Sequence, residues 1–163
     1  QSNFRGFGSG IVVPNTGISL QNRGSGFSLE KGHPNQVGGK KRPYHTIIPG
    51  FVMSNNQPKM SFGVMGGHMQ AQGHLQMMIR VAQHGQNPQT ASDAPRWYLQ
   101  ENGTVCVEDG FATDVIESLK ARGHTIIENN PEHLFGGAQL IYRLSDGYCA
   151  GSDHRKEGQA AGF

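Results

Sequence analysis

The chain has 163 residues, 35% hydrophobic and 16% charged, with a formal net charge of +2. That is enough for one domain with a buried core, it is unlike a disordered segment, and no apolar run is long enough to span a bilayer. The basic residues read as scattered, and Lys40, Lys41 and Arg42, the densest group, fit a solvated loop rather than a nucleic-acid surface.

The opening QSNFRGFGSG has no basic-then-apolar leader pattern and no helix cap, so the chain reads as a fragment or processed subunit beginning partway through an element. Ile11–Val13 and Ile18–Leu20 flank Pro14-Asn15-Thr16-Gly17 and predict a hairpin. A polar, Gly-rich loop follows, long enough to suggest function. Thr46–Ser54 predicts a strand interrupted at Pro49, then a turn at NNQPK and a paired strand over Lys59–Met65. Met69, Leu75, Met78, Ile79 and Ala82 recur mostly at three- and four-residue steps, predicting a helix from Gly67 to His84 with Gly85 as its stop. Gly73 weakens that helix.

NPQTASD predicts a short helix ending before Pro95. Trp97–Leu99 and Thr104–Glu108, joined through Asn102-Gly103, predict a second hairpin. Val115, Ile116, Leu119 and Lys120 mark a helix stopping at Gly123, and Thr125–Glu128 a short strand. Ala138–Leu144 and Tyr148–Gly151 predict a third hairpin around Asp146-Gly147, before an irregular tail. This order predicts a single α+β domain over 1–163, with a mostly antiparallel sheet and helices on one face. The 24 glycines follow no fixed period and read as turn and close-approach residues. Cys106 and Cys149 lie in strand-like runs and read as buried free thiols, with a disulfide as the alternative.

Five places bear on chemistry. Gly66-Gly67 stand where a strand turns into a helix, leaving unpaired N–H groups that attract negative charge. On local pattern alone, tight packing or a simple turn is favoured over an anion-binding role. His68, His74 and His84 are six and ten residues apart, with the first two about 120° out of alignment on a helix, which argues against a metal. Tyr44, His45 and Thr46 read equally as a pocket edge or as a loop anchored by Tyr44. Arg23 reads as solvated, or as a carboxylate ligand if it faces a pocket, and Asp153 with Arg155 as a modest exposed ion pair, with a catalytic role as the less favoured alternative.

FGSGIVVPNTGISLQNRGSGFS, KKRPYHTIIPGF, GVMGGHMQAQGH, DAPRW, GGAQ and AGSDHRKEG together resemble the small-subunit region of the γ-glutamyltranspeptidases, nearest their acylase branch. The resemblance runs over nearly the whole chain. It implies an N-terminal-nucleophile hydrolase with an αββα sandwich, whose self-cleavage exposes a threonine that forms an acyl-enzyme with a γ-glutamyl or related amide. It implies that Gly66 and Gly67 give N–H groups to the oxyanion. Tyr44, His45 and Thr46 fall where transpeptidases carry a Ser-Ser pair lining the substrate site, and Ser2-Asn3 resemble a Thr-x-Asn segment, which makes Asn3 a substrate-binding candidate. Arg23 stands where the transpeptidases place an acid for the donor's α-amine, so the expected donor lacks that amine, such as a glutaryl amide or an internal residue of a γ-linked glutamate polymer.

No threonine precedes Gln1 in this sequence, and family small subunits carry roughly two more strands before this point. The chain alone is therefore expected to be inactive, lacking the nucleophile and the large subunit that supplies an arginine. No organic cofactor or metal is implied. An uncovered sheet edge and apolar surface lead to an expected homo-oligomer. The alternative is a non-catalytic paralogue or fragment acting as a binding or assembly module; a metal hydrolase using the histidines is a third, weaker option.

Overall fold

The computed structural model describes residues 2–162, and the chain divides into two compact units, Gln1–Ile47 and Ile48–Phe163. The regular elements in chain order are β1 (Gly50–Ser54), β2 (Gln57–Met65), α1 (Met69–Ala82), α2 (Pro88–Asp93), β3 (Trp97–Leu99), β4 (Val105–Val107), α3 (Thr113–Ala121), β5 (Ile126–Ile127), β6 (Gly137–Arg143) and β7 (Tyr148–Ser152).

The first unit carries short 3-10 and bridge elements in place of a sheet. Its predicted hairpin is present as a single antiparallel bridge, Val12 to Ser19, with Val13 N–H donating to the Ile18 carbonyl at 2.9 Å. The Asn22 side chain binds the segment before it: its amide donates to the Arg5 and Gly8 carbonyls, both at 2.9 Å, and its oxygen accepts from Arg5 N–H at 3.0 Å. A 3-10 turn at Arg23–Gly26 leads into the expected long loop.

The second unit is built on an antiparallel sheet ordered β1-β2-β6-β7. Strand β1 begins only after Pro49, and its turn into β2 is tighter than expected. Asn55 and Asn56 alone make it, with φ of 50° and 58°, the mirror-image turn that matches strand twist. Pro58 pairs with Met53 just past a register shift, outside the stretch of β2 that pairs with β6, so its missing N–H leaves that ladder intact. One sheet face carries Met60, Phe62, Val64, Ala138 and Leu140, which pack with Met77 of α1 and Ala91 of α2. The fold is α+β.

Helix α1 ends at Ala82, slightly earlier than expected, with Gly85 in the left-handed region just beyond. Its buried face differs from the predicted stripe. Met69, Gly73, Gln76 and Met77 are buried, while Leu75 is exposed. Gly73, read as a weakness, lets the helix approach β2: a Cβ there would lie 2.6 Å from Val64 Cγ1.

Gln76 is inward because it completes a sheet edge. Its amide donates to the Trp97 carbonyl at 2.9 Å, and its oxygen accepts from Trp97 N–H at 3.0 Å. One turn earlier, Gln72 makes the same pair of bonds with Leu99, at 3.0 and 2.7 Å. Gln89 of α2 does likewise for Ser152 of β7, at 2.8 and 3.0 Å. The glutamines thus occupy strand groups that would otherwise invite pairing. Replacing Gln76 by alanine leaves both Trp97 groups without this partner and is expected to destabilise the second unit by about 1–3 kcal/mol in urea unfolding. An unchanged midpoint would show that water substitutes without loss.

The second sheet is ordered β3-β4-β5. Strands β3 and β4 form the predicted antiparallel hairpin, but β5 joins β4 in parallel, after the crossover through α3. Cys106, Val107 and Ile116 are buried in this part of the unit. Both cysteines are free; Cys106 is buried, whereas Cys149 is only half-buried, which corrects the expectation for the second thiol.

Candidate functional site

Strand β2 stops at Met65 and α1 starts at Met69, so Gly66 and Gly67 form the junction. Their carbonyls accept from Met69 and Gln70 N–H, both at 3.1 Å, opening the helix. Their own N–H groups donate to no acceptor among the described residues. Gly66 has φ of 154° and Gly67 of 60°. A Cβ on Gly67 would meet nothing within 4 Å, so this side of the backbone is open.

Gly66 is held from behind by Gly136, a residue that periodicity and propensity did not single out. A Cβ on Gly66 would lie 3.0 Å from Gly136 Cα, and one on Gly136 would lie 2.2 Å from the Met65 carbonyl oxygen. The start of β6 and the end of β2 therefore meet backbone to backbone, with Gly136 at φ 72° and ψ −157°. The sequence signal was present in the Gly136-Gly137 pair, but nothing local tied it to Gly66.

Behind the two helices lies an ion network whose centre the sequence reading missed. Arg96 and Asp153 are both 0% exposed and paired. Arg96 also donates to the Phe135 and Ser92 carbonyls at 2.9 Å. Asp153 accepts from Ala138 N–H and from Arg155, whose guanidinium makes a two-point contact with Glu108. Burial alone would push the Asp153 carboxyl up, but the Ala138 N–H and the Arg96 guanidinium outweigh it and hold it at about 2. The Asp153–Arg155 pair is thus real but buried, not the modest exposed pair expected. The bonds from Arg96 to the Phe135 carbonyl and from the Ala138 N–H to Asp153 bracket Gly136, and so support the backbone behind Gly66.

In the first unit, Arg23 is 7% exposed, not solvated. It donates to Thr46 Oγ1 at 3.1 Å and to the Ser2 carbonyl at 3.1 Å, and its guanidinium lies 5.2 Å from the centre of the Phe4 ring. Thr46 is buried with it, whereas Tyr44 and His45 are exposed. Asn3 is half-buried, and its carbonyl accepts from Asn22 N–H at 3.2 Å. Arg23 and Thr46 are thus brought together, with Ser2 as their bridge to the N-terminal segment. His45 and Arg23 line one cleft, and Tyr44 lines another depression.

The histidines of α1 and its flanks do not converge. His74 packs against Phe62 with the rings tilted and their centres 5.0 Å apart, and burial lowers its pKa. Among the described residues no group of three or more His, Cys, Asp or Glu is arranged to hold a metal ion, and no helix is long and apolar enough to cross a membrane.

A family model described as Gamma-glutamyltranspeptidase matches residues 1–163. The chain is 36% identical over 170 positions to the Glutathione hydrolase-like YwrD proenzyme of Bacillus subtilis, covering 100% of this chain and 32% of that protein. It is 35% identical over 170 positions to the Oxamate amidohydrolase proenzyme of Klebsiella pneumoniae, with the same coverage. Among solved structures, a cephalosporin acylase from Bacillus halodurans superposes with a TM-score of 0.93 and 49% identity, covering 99% of this chain and 31% of that one. The chain therefore spans about a third of the length of these relatives. Its sheets and helices are those of the N-terminal-nucleophile hydrolases, and the chain belongs to the γ-glutamyltranspeptidase family.

Proposed function

We propose that residues 1–163 are the C-terminal portion of a small subunit, in an acyltransferase or amidohydrolase acting on γ-glutamyl or glutaryl-type amides. A threonine outside this sequence attacks the amide carbonyl carbon, and the carbonyl oxygen becomes negative. Gly66 and Gly67 donate their N–H groups to that oxygen; the amine leaves with a proton, and water or an acceptor amine then takes the acyl group. The carrying observation is the adjacent pair of N–H groups at the β2–α1 junction that no described acceptor takes up.

Arg23, seated by Thr46, takes a carboxylate of the donor, with Asn3, Tyr44 and His45 as further substrate contacts. A guanidinium at this position repels an ammonium, so the donor lacks a free α-amine. Glutaryl p-nitroanilide is expected to be hydrolysed with a kcat/KM about tenfold or more above that of γ-glutamyl p-nitroanilide. The reverse ranking would overturn this donor assignment.

The same reading has the chain assembling with a large subunit cut from one precursor, and, when it folds alone, forming homo-oligomers through the surface left uncovered. The edge strand β1 and the exposed side chains of Phe51, Ile141 and Tyr148 support it. Residues 1–163 alone form no acyl-enzyme on this reading; a covalent adduct with a γ-glutamyl affinity label, seen by mass spectrometry, would contradict it.

A further inference from the structure

The chain's formal +2 conceals a separation of charge. Residues 1–47 carry six Lys and Arg against one acid, Glu30, a formal +5, whereas residues 48–163 carry eight against eleven, a formal −3. The basic residues are spread over both units, but only the first carries a net positive charge. Within it, a cleft of about 560 Å³ is lined by Arg23, Lys41, Arg42, His45 and Gln21. No carboxylate lies within ion-pair distance of Arg23, Lys41 or Arg42 among the described residues. Lys41 donates to the Pro34 carbonyl at 2.6 Å, a neutral partner that leaves its charge uncompensated.

Arg23 adds a further charge with no anionic partner. Its terminal nitrogens bond only neutral oxygens, and its Nε is buried with no partner among the described residues. Buried donors are nearly always satisfied, and a concave, single-sign surface raises the local concentration of the opposite charge.

We propose that this cleft binds an oligocarboxylate, so that Lys41, Arg42 and His45 engage carboxylates beyond the one assigned to Arg23. Calling the ligand an acyl donor rests on the amidohydrolase reading; the binding itself does not. The donor is then a chain bearing carboxylates in succession, and Lys41 and Arg42 set how strongly it is preferred over a single dicarboxylic amide.

Isothermal titration with tricarballylate and glutarate tests this without turnover, so it stands or falls separately from the anilide assay. Tricarballylate is expected to bind about tenfold tighter at low salt, with the advantage shrinking as salt rises. The Lys41→Gln/Arg42→Gln double variant, checked for an unchanged melting temperature, is expected to lose most of that advantage, and Lys41→Arg to keep it. Equal affinity for the two acids, or an advantage that survives the double variant, would overturn the proposal. So would a short single-stranded oligonucleotide binding more tightly than tricarballylate, which would assign the cleft to nucleic acid.

Discussion

Replacing Asp153 by alanine is expected to destabilise the second unit by about 3–5 kcal/mol in denaturant unfolding. Arg96 would keep its charge in a fully buried site with only the Phe135 and Ser92 carbonyls as partners. The Ala138 N–H would also lose its acceptor. An Arg96→Leu/Asp153→Leu double variant is expected to recover part of the loss, because it leaves no unpaired buried charge. A single-variant loss below about 1 kcal/mol would mean that water reaches Arg96 and that the network is not sealed.

Asp153 also sets an acid limit. Its carboxyl is held at about 2, below the ordinary value of 3.8. The folded state therefore binds this proton less readily than the unfolded state. The resulting stability, roughly 2 kcal/mol, is fully present above pH 4 and lost as pH falls from about 4 towards 2. Unfolding midpoints followed across that window should fall in the parent and stay flatter in the Asp153→Ala variant.

Replacing Gly67 by alanine is expected to lower kcat/KM by about 10²–10³ in the assembled enzyme while lowering stability by only about 1–2 kcal/mol. The added methyl has room, since nothing lies within 4 Å, so a loss of activity would come from the altered amide pair and not from repacking. Its φ of 60° carries the modest strain of a left-handed alanine. Gly136→Ala offers the contrast. Its methyl would have to displace the Met65 carbonyl, so stability and activity are expected to fall together. If Gly67→Ala were fully active, the pair would be a packing device and nothing more.

The elements that were legible in the sequence are those set by neighbouring residues. The Asn102-Gly103 turn, the short helix ending before Pro95, and Gly85 and Gly123 after their helices were each read from a few residues, and each stands where expected. The glycine pair at the β2–α1 junction was legible in the same way. What escaped was set by distant partners. Leu75 outranks Gln76 in hydrophobicity, yet Gln76 turns inward because Trp97 needs its amide. Arg96 carried no local signal of its burial, since its partner lies 57 residues away. The parallel pairing of β5 and the support of Gly66 by Gly136 likewise depend on contacts that no local pattern encodes. Of the candidate substrate residues, Arg23 and Thr46 were named separately, and folding joins them by a hydrogen bond.

The most direct measurement is a crystal structure of the assembled enzyme bearing a tetrahedral glutaryl boronate on its nucleophile. A boronate oxygen about 2.7–3.1 Å from both the Gly66 and Gly67 nitrogens is the expected result. An oxygen turned away from both amides, with its negative charge met by other donors, would contradict the account.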